Sequence, residues 1–242
     1  MTLPSTDSGV PPYACGTDKG RVRPHNEDAF AARPELGLWL VADGMGGASS
    51  GEVASAITAE SIVAAVARGV PLADAVAQAH RRVLDGVEDG RGGPGMGSTA
   101  VALRLTGGDF ELAWVGDSRA FRFDGRRLEQ LSHDHSYVQA LVDQGVLDAS
   151  EADRHPARHM LTRVLGGQEV EQVDADQIRG AVEFGQRFLL CSDGLTEELS
   201  AAEIEAIVGD ESDPEAAVRA LIAAALDRGG SDNVTVVVIG PI

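Results

Sequence analysis

Short apolar runs rich in β-branched residues recur along the chain, each bounded by turn residues, and predict strands. They are Leu36–Ala42, Thr99–Leu105, Glu111–Val115, Ala120–Phe123, Arg187–Cys191 and Val234–Ile239. Thr99–Leu105 alternates, with Val101, Leu103 and Leu105 on one face and Arg104 on the other. Gly16–Thr17–Asp18 reads as the end of an earlier strand. Elsewhere the period is helical. Residues 51–68 carry Ala54, Ile57, Ile62, Ala65 and Val66 at helical spacing, and residues 71–84 stripe Leu72, Val76, Ala79 and Val83 behind Pro71. Ser200 and Glu203 form a capping box with Leu199 and Ile204 as its hydrophobic staple. Asp213–Pro214 opens a helix striped by Val218, Leu221, Ile222 and Ala225. Strands and helices come in groups without strict βαβα alternation, which disfavours a doubly wound parallel sheet and predicts α+β layers. The Pro- and Ser-rich residues 1–12 are expected to be a flexible N-terminal segment before one domain over 13–242. The Gly-rich stretch 88–97 reads as an internal loop, because strand patterns flank it.

Charge narrows the partners. The 242 residues hold 20 Lys plus Arg against 38 Asp plus Glu, a formal net charge of −18. Nucleic acids and anionic membranes are bound through Lys and Arg, so neither is an expected partner. Two cysteines, Cys15 and Cys191, exclude a disulfide scaffold and a multi-cysteine zinc site. No run approaches the ~18 apolar residues of a membrane helix. Met1–Val10 lacks the basic and apolar regions of a signal peptide. A soluble cytoplasmic protein is expected.

Aspartates at strand ends carry the chemistry. LWLVA runs into Asp43–Gly44, ELAWVG into Asp117 and RFLLCS into Asp193–Gly194, while Asp232–Asn233 precedes VTVVVI. Any one Asp–Gly is commonly a turn. Four of them, with Asn26–Glu27–Asp28, suggest a shared site. Converging carboxylates need a cation, and oxygen ligands without His or Cys select Mg²⁺, Mn²⁺ or Ca²⁺. The six histidines show no zinc pattern. A cysteine nucleophile with Arg six residues on fits Cys15–Arg21 alone, at a strand end and without a preceding His. Gly116–Asp117–Ser118–Arg119–Ala120 lacks the last glycine of a serine-hydrolase elbow and the helix that should follow it.

These residues, in order, resemble the PPM-type (type 2C) metal-dependent Ser/Thr protein phosphatases of the bacterial branch. The matching stretches are 23–28, 41–47, 97–100, 116–119, 131–136, 161–166, 192–195 and 231–235, spanning roughly residues 13–240. The resemblance implies a four-layer αββα sandwich, two central antiparallel β-sheets flanked by helix pairs. It implies that Asp43 bridges two Mn²⁺ or Mg²⁺ ions, that Gly44 ligates through its carbonyl, and that Asp193 and Asp232 complete the set. Asp117 would share a third, weaker ion with Asp193. Asp28, as a catalytic residue, and Glu27 would hold metal-bound waters from the second layer. Arg23 would clamp the substrate phosphate with its bidentate fork.

The activity so implied is hydrolysis of phosphoserine and phosphothreonine in proteins by direct attack of a water held between the ions, with no phosphoenzyme. The expected partners are phosphoproteins made by a Ser/Thr kinase, acted on by a monomer. Met45 stands where many eukaryotic members have a proposed general-acid His, so that role falls to a metal-bound water or to His133, His135 or His159. Residues 143–165 occupy the flap position, locally basic with Arg154, Arg158 and Arg163. Alternatives are a metal-binding pseudophosphatase serving as an interaction module, and a phosphatase dedicated to one regulatory phosphoprotein.

Overall fold

The computed structural model describes residues 10–46, 50–167 and 170–242, so residues 1–9 of the expected N-terminal segment and Gly47 of the Asp43 motif lie outside it. In chain order the elements are β1 (Tyr13–Asp18), β2 (Asp28–Arg33), β3 (Leu38–Met45), α1 (Ser50–Ala67), α2 (Leu72–Glu88), β4 (Gly97–Ser98) and β5 (Ala100–Thr106). Then come β6 (Asp109–Val115), β7 (Arg119–Phe123), β8 (Leu128–Gln130), α3 (Tyr137–Asp143), β9 (Asp176–Ala181) and β10 (Arg187–Cys191). The chain closes with α4 (Asp193–Thr196), α5 (Ala201–Asp210), α6 (Pro214–Arg228) and β11 (Val234–Ile239).

One sheet runs β1-β11-β10-β7-β8 and the other β2-β3-β5-β6-β9, with β4 paired to β3. The named strand pairings are antiparallel. Between the sheets Trp39, Val41, Leu103, Phe188, Leu190 and Val237 form a buried core. Alternate residues of the same strands face outward. Leu40, Ala100 and Ala102 pack under α1 and α2, whereas Leu189, Val236 and Val238 pack under α4–α6. Both sheets are therefore apolar on both faces, which is why their central strands read as continuous apolar runs. The result is the αββα sandwich that the resemblance implied, where the pattern of strands and helices alone reached α+β layers.

Helix ends follow local chemistry. The Ser200 hydroxyl accepts from the Glu203 amide, the Glu203 carboxylate accepts from the Ser200 amide, and Asp213 caps α6 ahead of Pro214. The strand expected from Leu36 begins instead at Leu38, because Pro34–Leu36 make a 3₁₀ turn ended by Gly37 in the left-handed region. By length and composition α1 is apolar enough to cross a membrane, but here it packs against β2, β3 and α2.

Candidate active site

Strand register assembles the site. β2 pairs with β3 so that Asp28 lies opposite Asp43. Thr99 pins that strand end, accepting from the Asp43 amide at 3.0 Å and donating its own amide to the Asp43 carbonyl at 2.8 Å. Gly44 has no room for a side chain, since a Cβ would lie 2.1 Å from the Gly51 carbonyl oxygen and 2.5 Å from that of Glu27. In the other sheet β10 and β11 are antiparallel neighbours, so Asp193 just after one and Asp232 just before the other come out side by side. Asp117 follows β6 through Gly116, whose φ is 103°.

Arg23, Glu27, Asp43, Asp117, Asp193 and Asp232 line one cleft of about 510 Å³. Asp28 sits behind it. The Asp28 Oδ2 accepts hydrogen bonds from Ser192 Oγ (2.7 Å) and Thr235 Oγ1 (2.6 Å). Arg23 donates to Asp232 Oδ2 at 2.5 Å, and that bond raises its pKa. Burial, and then repulsion from Asp193, Asp28 and Asp117, pushes the Asp43 carboxyl well above its ordinary value. Burial likewise raises Asp117 and Asp193, with Asp193 and Asp232 respectively the next largest causes. Asp28 rises to about 7 through burial, against the lowering effect of its two hydroxyl donors.

Asp43, Asp117 and Asp193, which resist ionising together and face one cleft with Asp28 behind them, have the chemistry of a cation site. Two buried carboxylate oxygens, Asp28 Oδ1 and Asp193 Oδ1, have no hydrogen-bond partner among the described residues. Buried polar atoms are seldom left so. The donors are all oxygen, which suits Mg²⁺ or Mn²⁺. The residues present therefore fit the expected ions.

Of the three histidines weighed as proton donors, His159 lines the cleft. Its Nδ1 lies 2.6 Å from Glu197 Oε1, and burial raises Glu197 to about 7. His133 pairs with Asp143 instead, and His135 is buried behind Gly116. Met45, 43% exposed, also lines the cleft. The flap arginines divide. Arg158 faces the cleft, whereas Arg163 is taken up by Asp176 (2.5 Å) and the Asp174 carbonyl (3.1 Å).

Sequence reading gave no role to four supporting residues: Ser192, Asn233 and Thr235, which stand within the matching stretches, and Glu197, which does not. Glu197 stands four residues after Asp193, one helical turn on, and that spacing was the available signal. Asn233 is buried and serves the loop that carries Arg23. Its Oδ1 accepts from the Glu27 amide (2.8 Å) and its Nδ2 donates to the Lys19 and His25 carbonyls (both 2.9 Å). Asn233→Ala strands these groups, each at about 1–3 kcal/mol. The expected result is a melting temperature several degrees lower in calorimetry, about 4–8 °C per kcal/mol in small domains and less in larger ones. An unchanged melting temperature would contradict the keystone role.

Carboxylates from both sheets, gathered at one rim of an αββα sandwich, define a metal-centre protein of the PPM architecture. Within that class the chain belongs to the protein phosphatase 2C family, whose pattern matches residues 15–228. It is 39% identical over 238 residues to the serine/threonine protein phosphatase PstP of Mycobacterium tuberculosis, covering 93% of this chain and 44% of that protein. It thus spans less than half the length of the mycobacterial relative. The serine/threonine phosphatase stp of Listeria welshimeri is 31% identical, covering 92% of this chain and 93% of its own. The crystal structure of the PstP catalytic domain in complex with 2 manganese ions superposes with a TM-score of 0.82 at 34% identity, over 95% of this chain and 97% of that one.

Proposed function

We propose that this chain is an Mn²⁺- or Mg²⁺-dependent protein phosphatase hydrolysing phosphoserine and phosphothreonine. The observation that carries this reading is the cleft of high-pKa carboxylates with orphaned oxygens, rimmed by Arg23. Asp43, the Gly44 carbonyl, Asp193 and Asp232 would hold two ions, and Asp117 with Asp193 a third. Bound there, such ions supply Lewis-acid stabilisation of phosphoryl oxygens and acidify water.

The chain's own residues do the rest. Arg23 receives the equatorial phosphate oxygens, exchanging part of its bond to Asp232 for them. Asp28 and Glu27 orient water, and Ser192 and Thr235 fix the Asp28 carboxylate in one rotamer. Met45 has no proton to give, so His159, tied to Glu197, is the side chain placed to protonate the leaving oxygen. Arg158 extends the cleft wall toward the flanking polypeptide.

The net charge of −18 speaks against nucleic acid or membrane, and anionic phosphoproteins must be drawn by the local field of Arg23, Arg158 and bound ions. Cys15 and Cys191, both free thiols, support a cytoplasmic setting. Opposition to a Ser/Thr kinase follows from the substrate class.

The test is hydrolysis of a phosphothreonine peptide with Mn²⁺, and again with chelator. Turnover should need the metal, and a folded, Mn²⁺-loaded sample without turnover would overturn the proposal in favour of a binding module. Arg23→Ala should raise KM for the phosphopeptide by about tenfold or more, with kcat less affected. A KM equal to wild type would remove Arg23 from phosphate binding.

A further inference from the structure

The dipeptide Asp134–His135 grips the Asp117 turn at both ends. On one side the Asp134 carboxylate takes the Arg119 guanidinium through Nε (3.0 and 3.1 Å) and Nη2 (2.7 Å). On the other, His135 binds both backbone groups of Gly116. Its Nδ1 accepts from the Gly116 amide at 3.0 Å, and its own amide donates to the Gly116 carbonyl at 2.9 Å. The imidazole stacks on Trp114, ring centroids 6.4 Å apart at 24°. Accepting at Nδ1 leaves the proton on Nε2, which is 3.3 Å from Asp176 Oδ2, itself the partner of Arg163.

The same residue closes the base of the flap. The His135 carbonyl accepts from the Thr162 amide at 2.8 Å, and two residues further on the Tyr137 amide donates to the Met160 carbonyl at 2.7 Å. Ser136 and Leu161 form a β-bridge there, so the excursion that holds most of the flap leaves at Ser136 and rejoins at Leu161. One side chain and one peptide unit thus join the Asp117 turn to both roots of the segment that carries Arg158 and His159.

We infer that His135 is a positioning residue that couples the flap to the Asp117 turn, so that the two hold or lose their arrangement together. The inference deepens the proposed phosphatase reading, since a flap in register with Asp117 would set where the substrate polypeptide lies over the cleft. The coupling itself rests on hydrogen bonds that are present whatever the chemistry.

The experiment is hydrogen–deuterium exchange on the whole chain, with and without Mn²⁺, following peptides over 114–119 and 136–163. His135→Phe keeps a ring against Trp114 and removes the acceptor for the Gly116 amide. It should speed exchange in both segments about tenfold, the effect of losing one buried hydrogen bond, and leave β3, β10 and β11 unchanged. His135→Asn, whose Oδ1 can replace Nδ1, should restore protection of the Gly116 amide. Thr162→Pro, at an exposed position, deletes the flap's donor to His135 and should loosen the Asp117 turn from the far side. This keeps the test intact if the phenylalanine variant does not fold. Wild-type exchange at 114–119 in Thr162→Pro would overturn the coupling, as would an Asn variant no better protected than Phe. Exchange needs no turnover, so an inactive protein with coupled exchange would fail the phosphatase reading alone.

Discussion

Asp43→Asn is expected to abolish metal-dependent turnover and, in the same protein, to raise the melting temperature of the metal-free form. Asp43 lies where repulsion from Asp193, Asp28 and Asp117 adds to burial. Asparagine keeps the shape and removes one of the acids that cannot ionise together, so the metal-free fold gains. The site loses the carboxylate best placed to bridge ions, and the drop in kcat should be on the order of 10³-fold, the scale at which single preorganised electrostatic groups act. Stabilisation by Mn²⁺ should fall with it. At a hundredfold excess over Kd a bound ligand stabilises by about 2.7 kcal/mol, and most of that shift should vanish. Calorimetry with and without Mn²⁺ reads both effects. Near-normal turnover, or a full Mn²⁺ shift in the variant, would remove Asp43 from the metal centre.

With chelator present, stability should fall as the pH rises, the reverse of the usual behaviour of paired carboxylates. Asp28 titrates at 3.8 ordinarily and at about 7 in the fold, and Glu197 moves from 4.5 to about 7. Each binds its proton more tightly folded than unfolded. The stability they contribute is present at low pH and is lost as pH climbs through about 7. His135 acts oppositely, since burial and then Arg163 lower its pKa, but only below its ordinary value of 6.5. The interval from about pH 6.5 to 8 therefore isolates the acids. Mn²⁺ should invert the trend, because its ligands must be deprotonated and its affinity grows with pH. Melting temperatures at four conditions suffice, and a metal-free protein equally stable at both pH values would contradict the burial of these groups.

The legible part of this molecule lay in strong local signals. The strand over Arg187–Cys191, the capping box at Ser200 and the aspartates at strand ends all stand in the amino-acid order, because a buried strand must be apolar and a helix end must be capped. β2 was not legible. Its sequence, DAFAAR, is alanine-rich and half-exposed, so neither alternation nor hydrophobicity marks it. Yet β2 brings Asp28 opposite Asp43. Convergence depends on the register of strands far apart in the chain, which spacing alone does not encode. Arg163 fails differently. Its charge suggested a cleft-facing flap residue, but Asp176, thirteen positions away in sequence, claims it.

The two sheets contribute opposite walls of the cleft, Asp43 with Asp28 behind it from one, Asp193 and Asp232 from the other. Ions held among them would add a cross-brace between two plates already stitched at this rim by the Asp28 bonds to Ser192 and Thr235. The core between the sheets, with Trp39 and Phe188, would then serve as the spine of a book whose fore-edge is clasped by metal. Loading the ions would then tighten the rim that carries the carboxylates without stiffening the spine.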